Sequence, residues 1–245
     1  MKKIAFFVEG QTERIFVERL IREVLKGEKI SIISKRSQGG ANVPKQELVH
    51  KISFVRNPTL LVLIYDCGAD NRVKSEILEN MPNLMQSGYS YIVGLRDLYP
   101  LPVNDLYRLK SGLKFLPTSI GESFRHFFDI IVVVQEIETW FLAEASHLKR
   151  VDRRLTGSYI NKTLGFNPYT IDPLERKHPA KDLNNIYQLI GRSYSKKHGQ
   201  VCRLVNKLDF DNIQRHLRYN MPSLDELIDI IERFKLNRKK LQVNK

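Results

Sequence analysis

Cysteine is nearly absent: Cys67 and Cys202 stand alone among 245 residues. Two thiols exclude a disulfide framework and a four-cysteine zinc site, and a reduced, cytoplasmic setting suits such a chain. Long hydrophobic runs are missing too. The longest, residues 59–65 (TLLVLIY) and 130–134 (IIVVV), fall far below the roughly 20 apolar residues that a membrane-spanning helix needs, so no membrane partner is expected. Met1-Lys2-Lys3 leads straight into a strand-like run ending in Glu9, without the apolar stretch and small-residue cleavage site of a secretory leader. The six histidines, His50, His126, His147, His178, His198 and His216, show no His-x-x-x-His spacing, which removes a helical zinc motif. No GxxxxGK[ST] run occurs, so the chain has no ATPase phosphate loop, and any ATP dependence would need a partner chain.

What the chain does have is positive charge. Forty Lys and Arg against 27 Asp and Glu give +13 and a pI near 9.7, a surplus that favours a polyanionic partner, most simply nucleic acid. The surplus is uneven. Residues 1–150 carry 21 basic and 17 acidic side chains, and residues 151–245 carry 19 and 10. A nearly balanced front and a basic back suggest a division between chemistry and grip.

Hydrophobic residues at 42% are enough to offset the ordering entropy of a globular fold. Strands are expected at residues 4–8 (IAFFV), 30–34, 59–65, 89–95 and 127–134, the wholly apolar ones reading as parallel strands covered on both faces. Helical periodicity marks residues 12–25, where Phe16, Leu20 and Val24 share a face with Val17, Ile21 and Leu25 beside them, with Thr12 as N-cap, Glu13 at the positive end and Gly27 as the stop. Further helices are expected at 44–55, 73–85 with an interruption at Pro82, 105–113 and 138–148, and residues 38–40 read as a flexible loop. Beyond residue 150 the strand-like runs vanish, and 183–190, 201–208 and 224–234 look helical, with Ser223 as a cap. The final Asn237-Arg238-Lys239-Lys240 run is expected to fray. The fold class is therefore α/β: a mainly parallel sheet with helices on both faces over residues 1–150, plus a basic, helical C-terminal extension over 151–245.

Four of the five apolar strands end in an acid: Glu9, Asp66, Asp97 and Glu136. Parallel strands put their C-terminal ends along one edge, where ligands bind. Asp70 and Glu138 follow two of these acids closely. Singly, each has an ordinary reading: Asp97 and Asp70 as turn or cap residues, Glu138 in a first helical turn. Together they repel one another unless some protonate or a hard cation bridges them. Magnesium prefers oxygen ligands and keeps several waters, so two or three carboxylates suffice. An acidic magnesium site on a basic protein outlines a nuclease or nucleotidyl-transfer enzyme. Cys67, beside Asp66, is read as an inert buried thiol because no base is identifiable for it. Lys35 and Arg36 before Gly39-Gly40, and Lys181, Arg192, Lys196, Lys197 and Arg203 interleaved with Tyr187 and Tyr194, are candidate phosphate contacts, with a flexible loop and a solvated helix face as their alternatives.

The segment Phe7-Val8-Glu9-Gly10-Gln11-Thr12-Glu13 resembles the opening of a Toprim-like bacterial family that begins with a VEGQTE motif and is related to the Toprim modules of the overcoming-lysogenization-defect nucleases. Asp66, Gly94-Leu95-Arg96-Asp97, the run from Gln135 through Glu136, Glu138 and Trp140 to Ala143, and His178-Pro179-Ala180-Lys181 resemble its later motifs. The resemblance covers most of residues 3–200. It implies a Toprim fold binding Mg2+, with Mn2+ as a substitute, in a nuclease cutting DNA or RNA. It also implies work beside a separate ATPase in defence against phage. Glu9 takes the acid/base role and Asp66 the first position of the family's Asp-x-Asp pair. The chain departs from that pattern, because the next aspartate, Asp70, comes four residues on. Either Asp70 substitutes through a looser turn at Gly68, or Asp97 and Glu136 complete the site. The alternative function is a catalytically weak, nucleic-acid-binding regulatory subunit.

Overall fold

The apolar runs become strands because both of their faces find cover. In the computed structural model, which describes residues 1–40, 43–116, 124 and 126–235, strand β1 (Lys2–Val8) turns Ile4, Phe6 and Val8 to one core and Ala5 and Phe7 to another. Strand β4 (Leu60–Asp66) does the same with Leu60, Val62 and Ile64 against Leu63 and Tyr65. An alternating pattern is unnecessary when helices cover both sides.

The sheet has six strands in the order β3-β2-β4-β1-β5-β6, where β2 is Ile30–Gly40, β3 is Val43–Ser53, β5 is Tyr91–Asp97 and β6 is Phe128–Val133. All pairings are parallel except β2 with β3. Helix α1 (Gln11–Val24) packs on one face with Phe16, Val17, Leu20, Ile21 and Val24 buried. Helix α2 (Val73–Gln86) covers the other with Val73, Ile77, Met81 and Leu84, and α3 (Leu106–Lys114) adds a small cluster of Leu98, Leu113 and Val132 beside it. Pro82 does not interrupt α2. It sits on the exposed side of the helix, where its ring meets no packed neighbour and the helix continues through it.

After β6 come α4 (Glu138–Ala143), α5 (Ser146–Val151), α6 (Gly157–Leu164), α7 (Pro179–Gln188), α8 (His198–Val205), α9 (Phe210–Arg215) and α10 (Pro222–Glu232). Residues 138–148, expected as one helix, break between α4 and α5. There the buried Glu144 turns to Ser146 Oγ, the Arg150 guanidinium and the Asp209 amide. The helices after residue 150 join the α1 face: Leu183, Ile186, Val201, Leu204, Phe210, Leu224, Leu227 and Ile231 belong to the same core cluster as Phe6, Phe16 and Val62. Phe16 is its hub, with ring centroids 5.6 Å from Trp140, 5.5 Å from Phe141 and 5.9 Å from Phe210.

Three further local readings change. Residues 44–55 form no helix; they are most of β3, the edge strand. Leu48, Ile52 and Val55 have helical spacing, yet all three stay exposed, so no core rewards that periodicity. Pairing with β2 decides instead, aided by Lys45 to Glu76 and Glu79 and by Lys51 to Glu18. Residues 38–40 form no loop but close this hairpin inside β2. Gly39 has φ +84°, and a Cβ there would lie 2.4 Å from the Pro44 carbonyl oxygen, so only glycine fits. Helix α1 begins at Gln11 with Gly10 as N-cap, leaving Thr12 inside the first turn. The Asn237–Lys240 run lies outside the described residues.

Phe16→Ala is expected to cost about 3–5 kcal/mol, the range for removing a buried aromatic ring, read as a lowered urea midpoint with the m-value unchanged; a loss below about 1 kcal/mol would show that Phe16 is not the hub of this core.

Candidate acidic site at the strand ends

Register brings the strand-end acids level. Val8 pairs with Asp66 on one side and Leu95 on the other, and Asp97 pairs with Val133. The chain leaving β1 crosses toward β2 while the chain leaving β5 runs outward to β6, so a crevice opens between their C-terminal ends. A cavity of about 360 Å3 lies there, lined by Glu9, Glu13, Asp97, Glu136 and Lys196, with Gln11, Thr12, Tyr99 and three small residues completing the wall.

Each carboxylate is held differently. Glu9 Oε1 accepts the Asp97 amide at 2.9 Å, tying β1 to β5. Asp97 Oδ1 is buried and meets no hydrogen-bond donor among the described residues. Glu136 Oε1 accepts the Ala180 amide at 3.1 Å, in the first turn of α7, and its Oε2 accepts Lys196 Nζ at 2.9 Å. Glu138, fully buried, accepts the Tyr194 hydroxyl at 2.8 Å and lies 3.1 Å from Lys196 Nζ. Glu13 projects from the first turn of α1 and is buried.

Two residues here adopt left-handed backbone without being glycine: Gln135 at φ 63° and Lys196 at φ 58°. Such conformations persist only where neighbours over-determine them. The Gln135 carbonyl accepts the Tyr99 amide, and Gln135 turns the chain so that Glu136 faces back over the strand ends. The Lys196 carbonyl accepts Gln11 Nε2, and the preceding Ser195 amide and hydroxyl both donate to Gln200 Oε1.

Asp66 reaches the same edge but does not line the cavity. It accepts the Gly68 amide at 3.0 Å and sits 3.9 Å from both Arg14 Nε and Arg36 Nε. Gly68 has φ +76°, the loose turn the spacing to Asp70 requires; Asp70 opens a one-turn 3-10 helix, and its side chain lies outside the described part. Of the basic candidates, Lys35 pairs with Glu47 at 2.9 Å, while Lys181 and Lys197 are exposed. Lys196 is the internal counter-ion of Glu136 and Glu138. Glu13, Tyr194 and the buried Arg14 are site residues the strand-end pattern did not single out. The signal for Glu13 was its place four residues after Glu9, at the turn where α1 begins.

Burial and crowding dominate the electrostatics. Desolvation, then the Glu138 charge, raises Glu13 to about 7. Desolvation, with Glu13 and Glu9 nearby, raises Asp97 well above its usual value, and desolvation also raises Glu138 and Asp66. Burial alone would lower the Lys196 ammonium, but Glu138 and Glu136 hold it above its ordinary value. Burial pushes the Cys67 thiol up, consistent with an inert role. As the side chains stand, no group of three or more His, Cys, Asp and Glu among the described residues is arranged to hold a metal ion.

Residues 8–230 match the family model DUF4276, described as a domain of unknown function. The chain belongs to that family. No curated protein and no solved structure matches it. The DUF4276 match takes in Glu9, Asp97, Glu136 and Lys196 together, and so the sheet edge and the α7–α8 segment that closes it.

The Glu13 carboxyl is 4.5 in its ordinary state and about 7 in the fold. Below 4.5 both states hold the proton; between the two values only the native state does, so stability falls as pH rises toward 7. Glu13→Gln is expected to remove roughly 3 kcal/mol of that decline, measured as urea unfolding at pH 5 and pH 8. An unchanged pH slope in the variant would show that Glu13 does not carry it.

Proposed function

We propose that the acidic cavity is the active site of a magnesium-dependent, Toprim-type nuclease acting on DNA or RNA. The observation that carries this reading is the buried Asp97 oxygen without a donor, facing a cavity it shares with Glu9, Glu13 and Glu136. A buried acceptor without a partner is costly and points to a group supplied from outside. Four carboxylates, Glu9, Glu13, Asp97 and Glu136, outnumber the one lining cation among the described residues, Lys196, and oxygen donors of this kind fit a hard cation. Glu13 and Asp97 would hold it, with Asp66 behind them. When bound, magnesium polarises a phosphodiester and favours its leaving oxygen.

The chain's own groups supply the rest. Glu9, oriented by the Asp97 amide, is the proton acceptor. Lys196, with 42% of its side chain exposed, offers its ammonium to a phosphate oxygen at the rim. Arg36, Lys35, Lys181 and Lys197 would position the strand through its phosphates without reading sequence. The resemblance of the opening motif extends the proposal to a separate ATPase partner in phage defence.

One observation favours the second reading, a catalytically weak nucleic-acid-binding subunit. Lys196 already neutralises Glu136 and Glu138, so two members of the acidic cluster are compensated without a metal ion.

With magnesium, the protein is expected to cut plasmid, single-stranded DNA or tRNA, and Glu9→Gln and Asp97→Asn are each expected to slow cleavage by about 100-fold or more. Undiminished cleavage in both variants would remove the site assignment. Salt-sensitive binding that EDTA leaves intact, without cleavage, would establish the binding subunit instead.

A further inference from the structure

A second, larger cavity of about 840 Å3 opens between the end of α7 and α8. Its walls carry Arg192, Arg203 and Lys207, and no Asp or Glu lines it among the described residues. All three cations are exposed, and none lies within ion-pair distance of a described carboxylate. Three other cations near this part of the chain are paired with acids: Arg150 with Glu144, Arg176 with Asp182 and Lys196 with Glu136. The remaining lining includes apolar side chains, Val151 and Leu204, and the tyrosines Tyr187 and Tyr194, whose rings stack at 6.2 Å. The Tyr187 hydroxyl is buried without a hydrogen-bond partner, and burial keeps it protonated, hence a donor. Tyr194 also links this cavity to the acidic cluster, since its hydroxyl donates to Glu138.

We infer that this cavity binds a phosphate ester with a ring-bearing organic body, a nucleotide or one nucleotide unit of a polynucleotide. Three exposed cations that hold no ion pair, Arg192 sensing the nearby Asp152, suit an anion with several oxygens. The volume is far larger than a bare phosphate, and the apolar and aromatic lining suits a ring. The unpaired Tyr187 hydroxyl offers a neutral donor to the same ligand. The inference stands apart from the acidic cavity: it holds or fails whether or not that site cleaves anything.

Calorimetric titration of the full chain with AMP, adenosine and inorganic phosphate tests it, with a short oligothymidylate as competitor. AMP is expected to bind more tightly than phosphate, and adenosine to bind at least about tenfold more weakly than AMP. The Arg192→Gln, Arg203→Gln double variant is expected to lose about tenfold or more of the AMP affinity. Tyr187→Phe is expected to weaken AMP without lowering the melting temperature, because its hydroxyl bonds nothing in the free protein. Displacement of AMP by oligothymidylate assigns the ester to a nucleic-acid chain; binding of AMP that the oligomer leaves intact assigns it to a free nucleotide. No AMP binding, equal affinity for adenosine, or full affinity in the double variant overturns the site. A melting temperature lowered in Tyr187→Phe with AMP affinity unchanged overturns the ligand role of that hydroxyl.

Discussion

The mutual repulsion of carboxylates crowded at the level ends of parallel strands is the constraint around which this molecule is organised. Four strands of like direction deliver Glu9, Asp66, Asp97 and Glu136 to one edge, and α1 adds Glu13. Such a group of charges in a desolvated crevice is unfavourable. The fold relieves it in three ways. Lys196 bridges Glu136 and Glu138, Arg14 and Arg36 approach Asp66, and the raised values of Glu13 and Asp97 let them keep protons.

This arrangement makes the sheet depend on the helices that follow it. The counter-ion Lys196, the Ala180 amide and the Tyr194 hydroxyl all come from the segment around α7 and α8. That segment is held because its apolar side chains complete the core over α1. Packing and electrostatics therefore act on the same element: the helix α1 that buries Phe16 also brings Glu13 to the cavity Lys196 lines. The basic surplus of the back half is likewise partly structural. Arg218, 6% exposed, is committed to Asp225, Asp229 and Glu232, while three of the cations without an ion pair line the second cavity.

Much of this was readable from residue order. Wholly apolar runs predicted strands buried on both faces, and β1, β4, β5 and β6 are such strands. The Phe16, Leu20, Val24 stripe predicted α1. Where the reading failed, local pattern and tertiary context disagreed. Leu48, Ile52 and Val55 carry a helical period but border solvent, so hydrogen bonding to β2 overrode it. Pro82 punctuates a helix only where its missing donor would be buried. Among the site residues, strand-end acids were legible because direction and register follow from a parallel sheet. Glu13 was harder, since an acid in a first helical turn has an ordinary reading as a partner of the helix dipole.

By itself, the order of residues determined the α/β class, the parallel core strands and the set of acids at their ends, because these rest on short-range periodicity and on chain direction. Only the tertiary structure decided which acids face one cavity, which are neutralised by cations and which are left without a donor. Those outcomes depend on contacts such as Lys196 with Glu136, 60 residues apart, and on how much water the packed helices exclude, and neither quantity is written in any local stretch of the chain.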